Sequence, residues 1–255
     1  MEINKDAIRE LLPEKFKKRC LIGICDPKYL DGSKPVYSLK NKKWSATPRE
    51  IFPAVKSIIV LIHLTPVAND YRVEEIIVEL GSLSWKEFGL KTHIINESGK
   101  VCPDMLVGTE WGPSSKKYDK LILLKELAYY AGLGRYGKSS LIINSHFGSD
   151  FKIQALFTEE KIKYDYPLIP RKYPECKNCN LCIELCPGDA LSNYKIEQLK
   201  CQWNWNRDFR GIPRPYLLPI MQLRKPNVRN YLFDDRSCRN CQAFCKANSD
   251  HYIKL

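Results

Sequence analysis

Strand and helix patterns alternate over the first 165 residues, and a short segment follows in which cysteines recur at fixed steps. Together they predict an α+β chain in two domains, an α/β domain at residues 1–165 and a small cysteine-rich domain at 166–255. Three observations carry this. Ser57–Leu64 (SIIVLIHL) is a continuous β-branched run, residues 71–88 have helical periodicity, and Cys176-x2-Cys179-x2-Cys182-x3-Cys186-Pro187 sets four thiols at short, regular steps.

The elements follow in order. Residues 5–19 read as one amphipathic helix, Pro13 included. Cys20–Cys25 (CLIGIC) reads as a buried strand that ends at the Asp26-Pro27 turn, and residues 31–47 read as loop. Thr47-Pro48-Arg49-Glu50 carries a helix start, with Thr as N-cap, Pro at the first helical position and Glu at the third. Ser57–Leu64, apolar on both faces, is expected to be central in the sheet. A helix over 71–88, a short strand over Thr92–Ile95 and a helix over 119–131 complete the first domain. The proline-rich stretch 165–174 (DYPLIPRKYP) marks the boundary to the cysteine-rich domain.

Composition narrows the setting. The chain has 255 residues, 44% hydrophobic and 11% aromatic, ample for a packed core. Its longest apolar run is far too short to span a bilayer. The N-terminus MEINKDAIRE has neither an apolar signal core nor twin arginines, so a reducing cytoplasm is the expected compartment and no membrane partner is expected. The net charge of +12 suits an anionic partner such as RNA or an acidic redox protein, and equally a lysine-rich solvated face.

The cysteines carry the chemistry. Three thiolates at x2 steps can fold around one cubane cluster, while a fourth followed by proline points to a second cluster. Cys201 and Cys238-x2-Cys241-x3-Cys245 answer downstream, so eight of the 11 cysteines make two four-ligand sets. The spacing pairs Cys176, Cys179, Cys182 and Cys245 on one [4Fe–4S] cluster, and Cys186, Cys201, Cys238 and Cys241 on the other. Structural zinc seldom shows such consecutive steps ending in Cys-Pro. A disulfide framework does not suit a chain without a secretory segment. Cys20, Cys25 and Cys102 read as small hydrophobes or bystanders.

Residues 131–144 (AGLGRYGKSSLIIN) lead from a helix into a strand. The Gly132–Gly137 match to GxGxxG is therefore not a dinucleotide site, which follows a strand and opens a helix. The segment AGLGRYGKSSLIINSHFGS (131–149), upstream of the cysteine module, resembles the cobalamin-dependent epoxyqueuosine reductases and their relatives, the reductive dehalogenases. LIGICDP (21–27), TPREIFPAVKSIIVLI (47–62) and the separated order of the last cysteines resemble them too.

The resemblance implies a nitroreductase-like α/β domain that holds base-off cobalamin, joined to a ferredoxin-like domain with two [4Fe–4S] clusters. Electrons would pass from a low-potential ferredoxin or flavodoxin, through the clusters, to cobalt. Gly132, Gly134, Gly137, Lys138, Ser139, Ser140 and Leu141 would line the corrinoid. Where epoxyqueuosine reductases carry a proton-donating aspartate, this chain has Tyr118 with Asp119 adjacent. Dehalogenases use a tyrosine beside a basic group, which Lys116-Lys117-Tyr118 could supply. The plainer reading is a tyrosine packed at a helix start with Asp119 as its cap. The sequence ends ten residues after Cys245, which reads as a short form without the helical-repeat extension of many relatives, and Lys246 stands where a proline is usual.

The stretch between Cys201 and Cys238 holds seven Arg or Lys against three Asp, interleaved with Trp203, Trp205, Phe209, Tyr216, Tyr231 and Phe233. Such a mixture can shield a cluster from water, close over a planar substrate, or contact phosphates and stack on bases, which leaves tRNA open as a partner. His63 reads as a core histidine, and His146 as a candidate cofactor contact inside the glycine segment.

Overall fold

The computed structural model describes residues 3–38, 42–64, 73–96, 99–100, 120–201 and 240–248. Tyr118, Asp119, Cys102, Cys238 and the basic aromatic stretch between Cys201 and Cys238 lie outside them. By its contacts the chain divides into two compact units. One comprises Met1–Tyr37, Lys43–Gly134 and Phe151–Ile169, and the other Ser38–Lys42, Arg135–Asp150 and Pro170–Leu255. Most of the glycine segment thus groups with the cysteine-bearing unit, whereas the sequence suggested that it lies with the sheet.

The first unit starts with α1 (Lys5–Glu10) and α2 (Glu14–Lys17). The expected single helix breaks at Pro13, which has no N–H to donate and stands at the N-cap of α2. Next come β1 (Cys20–Cys25) and the short strands β2 (Tyr37–Ser38) and β3 (Lys43–Trp44), which pair within the stretch read as loop. Helix α3 (Pro48–Ile51) has the expected capping box: the Thr47 side chain accepts from Glu50 N–H and the Glu50 carboxylate accepts from Thr47 N–H. Then follow β4 (Ser57–Leu64), α4 (Val73–Phe88) and β5 (Thr92–Ile95), close to their expected bounds.

Helix α5 covers Leu124–Tyr130, five residues shorter at its start than expected. Before it the chain is extended: Leu121 N–H donates to Trp44 O (3.0 Å) and Leu121 O accepts from Ala46 N–H (2.8 Å). Leu123 is the N-cap residue of α5. After the hairpin strands β6 (Arg135–Tyr136) and β7 (Ile142–Ile143) comes β8 (Phe151–Thr158), a strand the sequence did not announce.

The sheet order is β1-β4-β8-β5, and every pairing is antiparallel. Strand β4 is interior, as its unbroken apolar run requires. Helices cover both faces, so apolar continuity arises here without parallel crossovers. On one face Ile22, Ile24, Ile59, Leu61, Ile94 and Leu156 form a core with Ile8 of α1 and Ile76, Ile77 and Leu80 of α4. The other face receives α5, which packs on β1, β4 and β8. Gly23 sits where this helix ends: a Cβ there would overlap Ala131 O and stand 3.0 Å from Leu133 Cγ. Among the described residues no helix is long and apolar enough to cross a membrane.

The second unit holds the β6–β7 hairpin, α6 (Leu181–Glu184), the hairpin β9 (Leu191–Ser192) and β10 (Lys195–Ile196), and α7 (Asn240–Ala243) packed against α6. Backbone bonds fasten the glycine hairpin to the chain entering the cysteine loop. Tyr136 N–H donates to Arg171 O, and Tyr173 N–H donates to Tyr136 O, both at 2.8 Å.

Candidate functional site

Short turns wind the cysteine loop tightly. A single helical turn ends at Cys176, whose carbonyl accepts from Cys179 N–H at 3.2 Å, and α6 carries Cys182. Cys186 N–H then donates to Ile183 O (3.3 Å), while the Cys186 thiol accepts from Ala190 N–H at 3.3 Å. At the far end of the chain, Cys245 N–H donates to Gln242 O at 3.0 Å in the turn that follows α7.

The winding gathers thiols from both ends of the unit. Burial raises the Cys182 thiol to about 11, and the charges of Cys176, Cys245 and Cys179 add to the rise. Burial also raises Cys176, opposed by the backbone N–H of Lys138. Cys176 and Cys182 each feel the charges of Cys179 and Cys245, the last of them 69 residues from Cys176 in sequence (245 − 176). Among the described residues no three Cys, His, Asp or Glu side chains converge tightly enough to share one metal ion. A cluster asks for a wider set, because each thiolate binds its own iron. Cys186, Cys201 and Cys241 are half-buried in the same unit.

The glycine segment is packed by the chain itself. Gly132, with φ +70, follows the C-cap of α5, and a Cβ there would lie 2.7 Å from Tyr166 O. A Cβ on Gly137 would lie 2.5 Å from Ile143 Cδ1. Gly134 and Ser139 are buried, Leu141 is half-buried, and Ser140 turns the hairpin in a left-handed conformation at φ +60. The Lys138 ammonium donates to Lys177 O (3.0 Å) and Asn180 Oδ1 (2.8 Å), inside the cysteine loop. The side-chain-free faces of Gly132 and Gly137 are thus filled by protein and make no cradle for a corrinoid. His146 is exposed, and its N–H donates to Asn144 Oδ1 at 2.7 Å.

Sequence reasoning missed two groups here. Asn248, 2% exposed, accepts from Ser149 N–H (2.6 Å) and donates to Gln242 O (2.7 Å), tying the end of the glycine segment to the last cysteines. Gly148 has no room for a side chain, since a Cβ would overlap Asn248 Oδ1. Tyr194, at φ +70, has the Lys172 ammonium 4.6 Å over its ring, and burial followed by the Cys176 and Cys182 thiols raises its phenol. No local pattern announces contacts across such sequence distances. Cys20 and Cys25 stay buried in the first unit, burial pushing Cys20 up to about 12 and Cys25 further up, so neither is a reactive thiol. His63 is buried, with Nδ1 2.7 Å from Leu64 O, in keeping with a core histidine.

The fold is similar to that of solved epoxyqueuosine reductases. The solved structure of the Streptococcus thermophilus protein matches with a TM-score of 0.60 at 15% identity, covering 96% of this chain and 65% of that one. A second, an epoxyqueuosine reductase with a tRNA-Tyr epoxyqueuosine-modified stem loop, matches with a TM-score of 0.61 at 15% identity, covering 95% and 64%. In sequence, the epoxyqueuosine reductase of Leadbetterella byssophila is 28% identical over 211 residues, 79% of this chain and 62% of that protein. The chain therefore spans less than two thirds of the length of this curated relative. No family model matches the chain.

Proposed function

We propose that the chain is an oxidoreductase of the epoxyqueuosine reductase type. In this reading it takes electrons from a low-potential ferredoxin or flavodoxin through two [4Fe–4S] clusters and base-off cobalamin to an organic substrate. The substrate is epoxyqueuosine in tRNA or another substrate of reductive elimination. The packing of α7 on α6, which brings the Cys245 turn to the wound loop of Cys176, Cys179 and Cys182, carries this reading, since a set of four thiols suits iron–sulfur ligation. The second set is Cys186, Cys201, Cys238 and Cys241. The clusters, when bound, supply single electrons at low potential. The chain's own part is to aim the Ala190 N–H at the Cys186 sulfur, and so stabilise charge there.

Cobalamin enters on the family resemblance and would be held by Gly134, Ser139, Ser140 and Leu141 with the neighbouring backbone. Tyr118 is the proposed proton donor and Asp119 the alternative, because a nearby ammonium from Lys116 or Lys117 favours the phenolate left after donation. Support for tRNA comes from the net charge of +12 and from the stem loop bound by the solved relative.

A second reading has its own observation. Because the chain itself fills the faces of Gly132 and Gly137, an electron-transfer or corrinoid-reactivating iron–sulfur protein serving a partner is the alternative. Anaerobic reconstitution with iron, sulfide and cobalamin, read by absorbance and paramagnetic resonance, separates the two. Two clusters with base-off Co(II) and turnover of epoxyqueuosine-containing tRNA support the enzyme. Clusters without cobalamin uptake reject it in favour of the carrier, and no clusters reject both. Within the enzyme reading, Tyr118→Phe with both cofactors retained is expected to lose turnover; an unchanged rate removes Tyr118 as donor.

A further inference from the structure

We propose that Lys138 is a positioning residue for the cluster carried by Cys176, Cys179, Cys182 and Cys245, and that its fixed charge raises the reduction potential of that cluster. The inference rests on the iron–sulfur reading above. It stands on the chain's own geometry, in which one side chain reaches into the cysteine loop. The Lys138 ammonium is held by Lys177 O at 3.0 Å and Asn180 Oδ1 at 2.8 Å.

Both side-chain acceptors are neutral, so neither cancels the positive charge. Both lie among the cysteines, Lys177 next to Cys176 and Asn180 between Cys179 and Cys182. The backbone behind the ammonium is stiff. The hairpin is bridged on one side by Tyr136 to Arg171 and Tyr173, and turns on Ser140 at φ +60, whose N–H donates to Gly137 O at 3.0 Å. A lysine fixed at both ends differs from one of the chain's many solvated cations.

The consequence is electrostatic. A [4Fe–4S] cluster with four thiolates is a dianion when oxidised and a trianion after taking one electron. A nearby cation therefore stabilises the reduced form more than the oxidised form, and the potential rises. Lys138 is half-exposed, so solvent screens part of this effect and the shift is modest. The contacts to Lys177 and Asn180 also hold the loop in its wound form before iron arrives.

The test is a redox titration, followed by paramagnetic resonance, of the reconstituted full chain as wild type, Lys138→Met, Lys138→Arg and Asn180→Ala. A Cys201→Ser control assigns the midpoints to the two clusters. In Lys138→Met the midpoint of the first cluster is expected to fall, with the reduced-to-oxidised ratio at the wild-type midpoint down about tenfold, about 59 mV for one electron. Lys138→Arg is expected to restore most of the shift, and Asn180→Ala to give a smaller fall in the same direction. The second cluster is expected to stay where it is. Equal midpoints in all four proteins overturn the proposal, as does an equal shift of both clusters. If Lys138→Met binds no iron, the decision passes to the other two variants. Asn180→Ala at the wild-type midpoint then overturns it, and a lowered midpoint with Lys138→Arg near wild type supports it. A wild-type chain that assembles no cluster rejects the iron–sulfur reading, and the inference with it.

Discussion

Replacing Asn248 by alanine removes a side chain that ties the glycine segment to the final cysteine turn. Its Oδ1 accepts from Ser149 N–H at 2.6 Å, and its Nδ2 donates to Gln242 O at 2.7 Å. Gln242 Nε2 in turn donates to Ser149 O at 3.0 Å, so the three residues form a closed knot. Truncation leaves the buried Ser149 N–H without a partner, while Gln242 O keeps the bond from Cys245 N–H. At about 2 kcal/mol for the orphaned donor, within the ~1–3 kcal/mol such a group costs, and about 1 kcal/mol for the lost bond to Gln242 O, the loss comes to about 3 kcal/mol. A chain of this length loses about 3 °C per kcal/mol, so the melting temperature falls by about 9 °C.

The assay is thermal unfolding of the purified full chain by circular dichroism, with Ser149→Ala as control. That control keeps the Ser149 N–H bond and loses only the weaker Oγ contacts at 3.2 and 3.3 Å, so its expected loss is within about 1 kcal/mol. Asn248 N–H also donates to Cys245 O at 2.9 Å, so in the reconstituted protein the same variant is expected to lose iron to a chelator faster than wild type. A melting temperature within about 3 °C of wild type, equivalent to about 1 kcal/mol, refutes the knot as a structural element.

Two further outcomes are expected from the first unit. Gly23→Ala forces a Cβ against the Ala131 carbonyl, which cannot swing away as a side chain would. The cost is at the upper end of overpacking, about 3 kcal/mol or about 9 °C in melting temperature, and an unchanged transition would show that the end of α5 yields freely. His93 is buried with its ring 4.2 Å from Phe52, and burial lowers its pKa, while Glu159 opposes the shift. Below the ordinary value of about 6.5 the unfolded chain takes a proton that the folded chain refuses, so stability falls as pH drops through that point, at no more than about 1.4 kcal/mol per pH unit. His93→Phe is expected to flatten the change in urea midpoint between pH 7 and pH 5, and a slope identical to wild type would rule His93 out as its source.

What the sequence made legible was local. The capping box at Thr47–Glu50, the CLIGIC strand and SIIVLIHL declare themselves within their own residues, and each stands close to its expected position. Strand β8 did not declare itself, because Lys152 and Gln154 share a face with Leu156 and spoil the alternation that marks a half-buried strand. Gln154 is 1% exposed all the same, since its partners in register, Leu61 and then Ile22, set its burial. The start of α5 was misplaced for a similar reason. Leu121 and Ile122 have helical company in sequence, but they commit their backbone groups to Trp44, Ala46 and Gly99. Pairing with distant segments overrides local propensity in both cases.

The glycine segment shows how the same limit bears on function. Three glycines close together suggest room left for something to approach, and sequence has no means of saying whether that is a ligand or another part of the chain. At Gly132 it is Tyr166 O, at Gly137 it is Ile143, and at Gly148 it is Asn248, each a neighbour from the same unit. Lys138, which the resemblance places among the cofactor contacts, gives its ammonium to Lys177 O and Asn180 Oδ1. Through Lys138 and the Tyr136 backbone the segment is clasped to the cysteine loop. Under the proposed iron–sulfur reading such packing has a use, because thiolates that ligate iron in one geometry need a backbone with few alternatives around them.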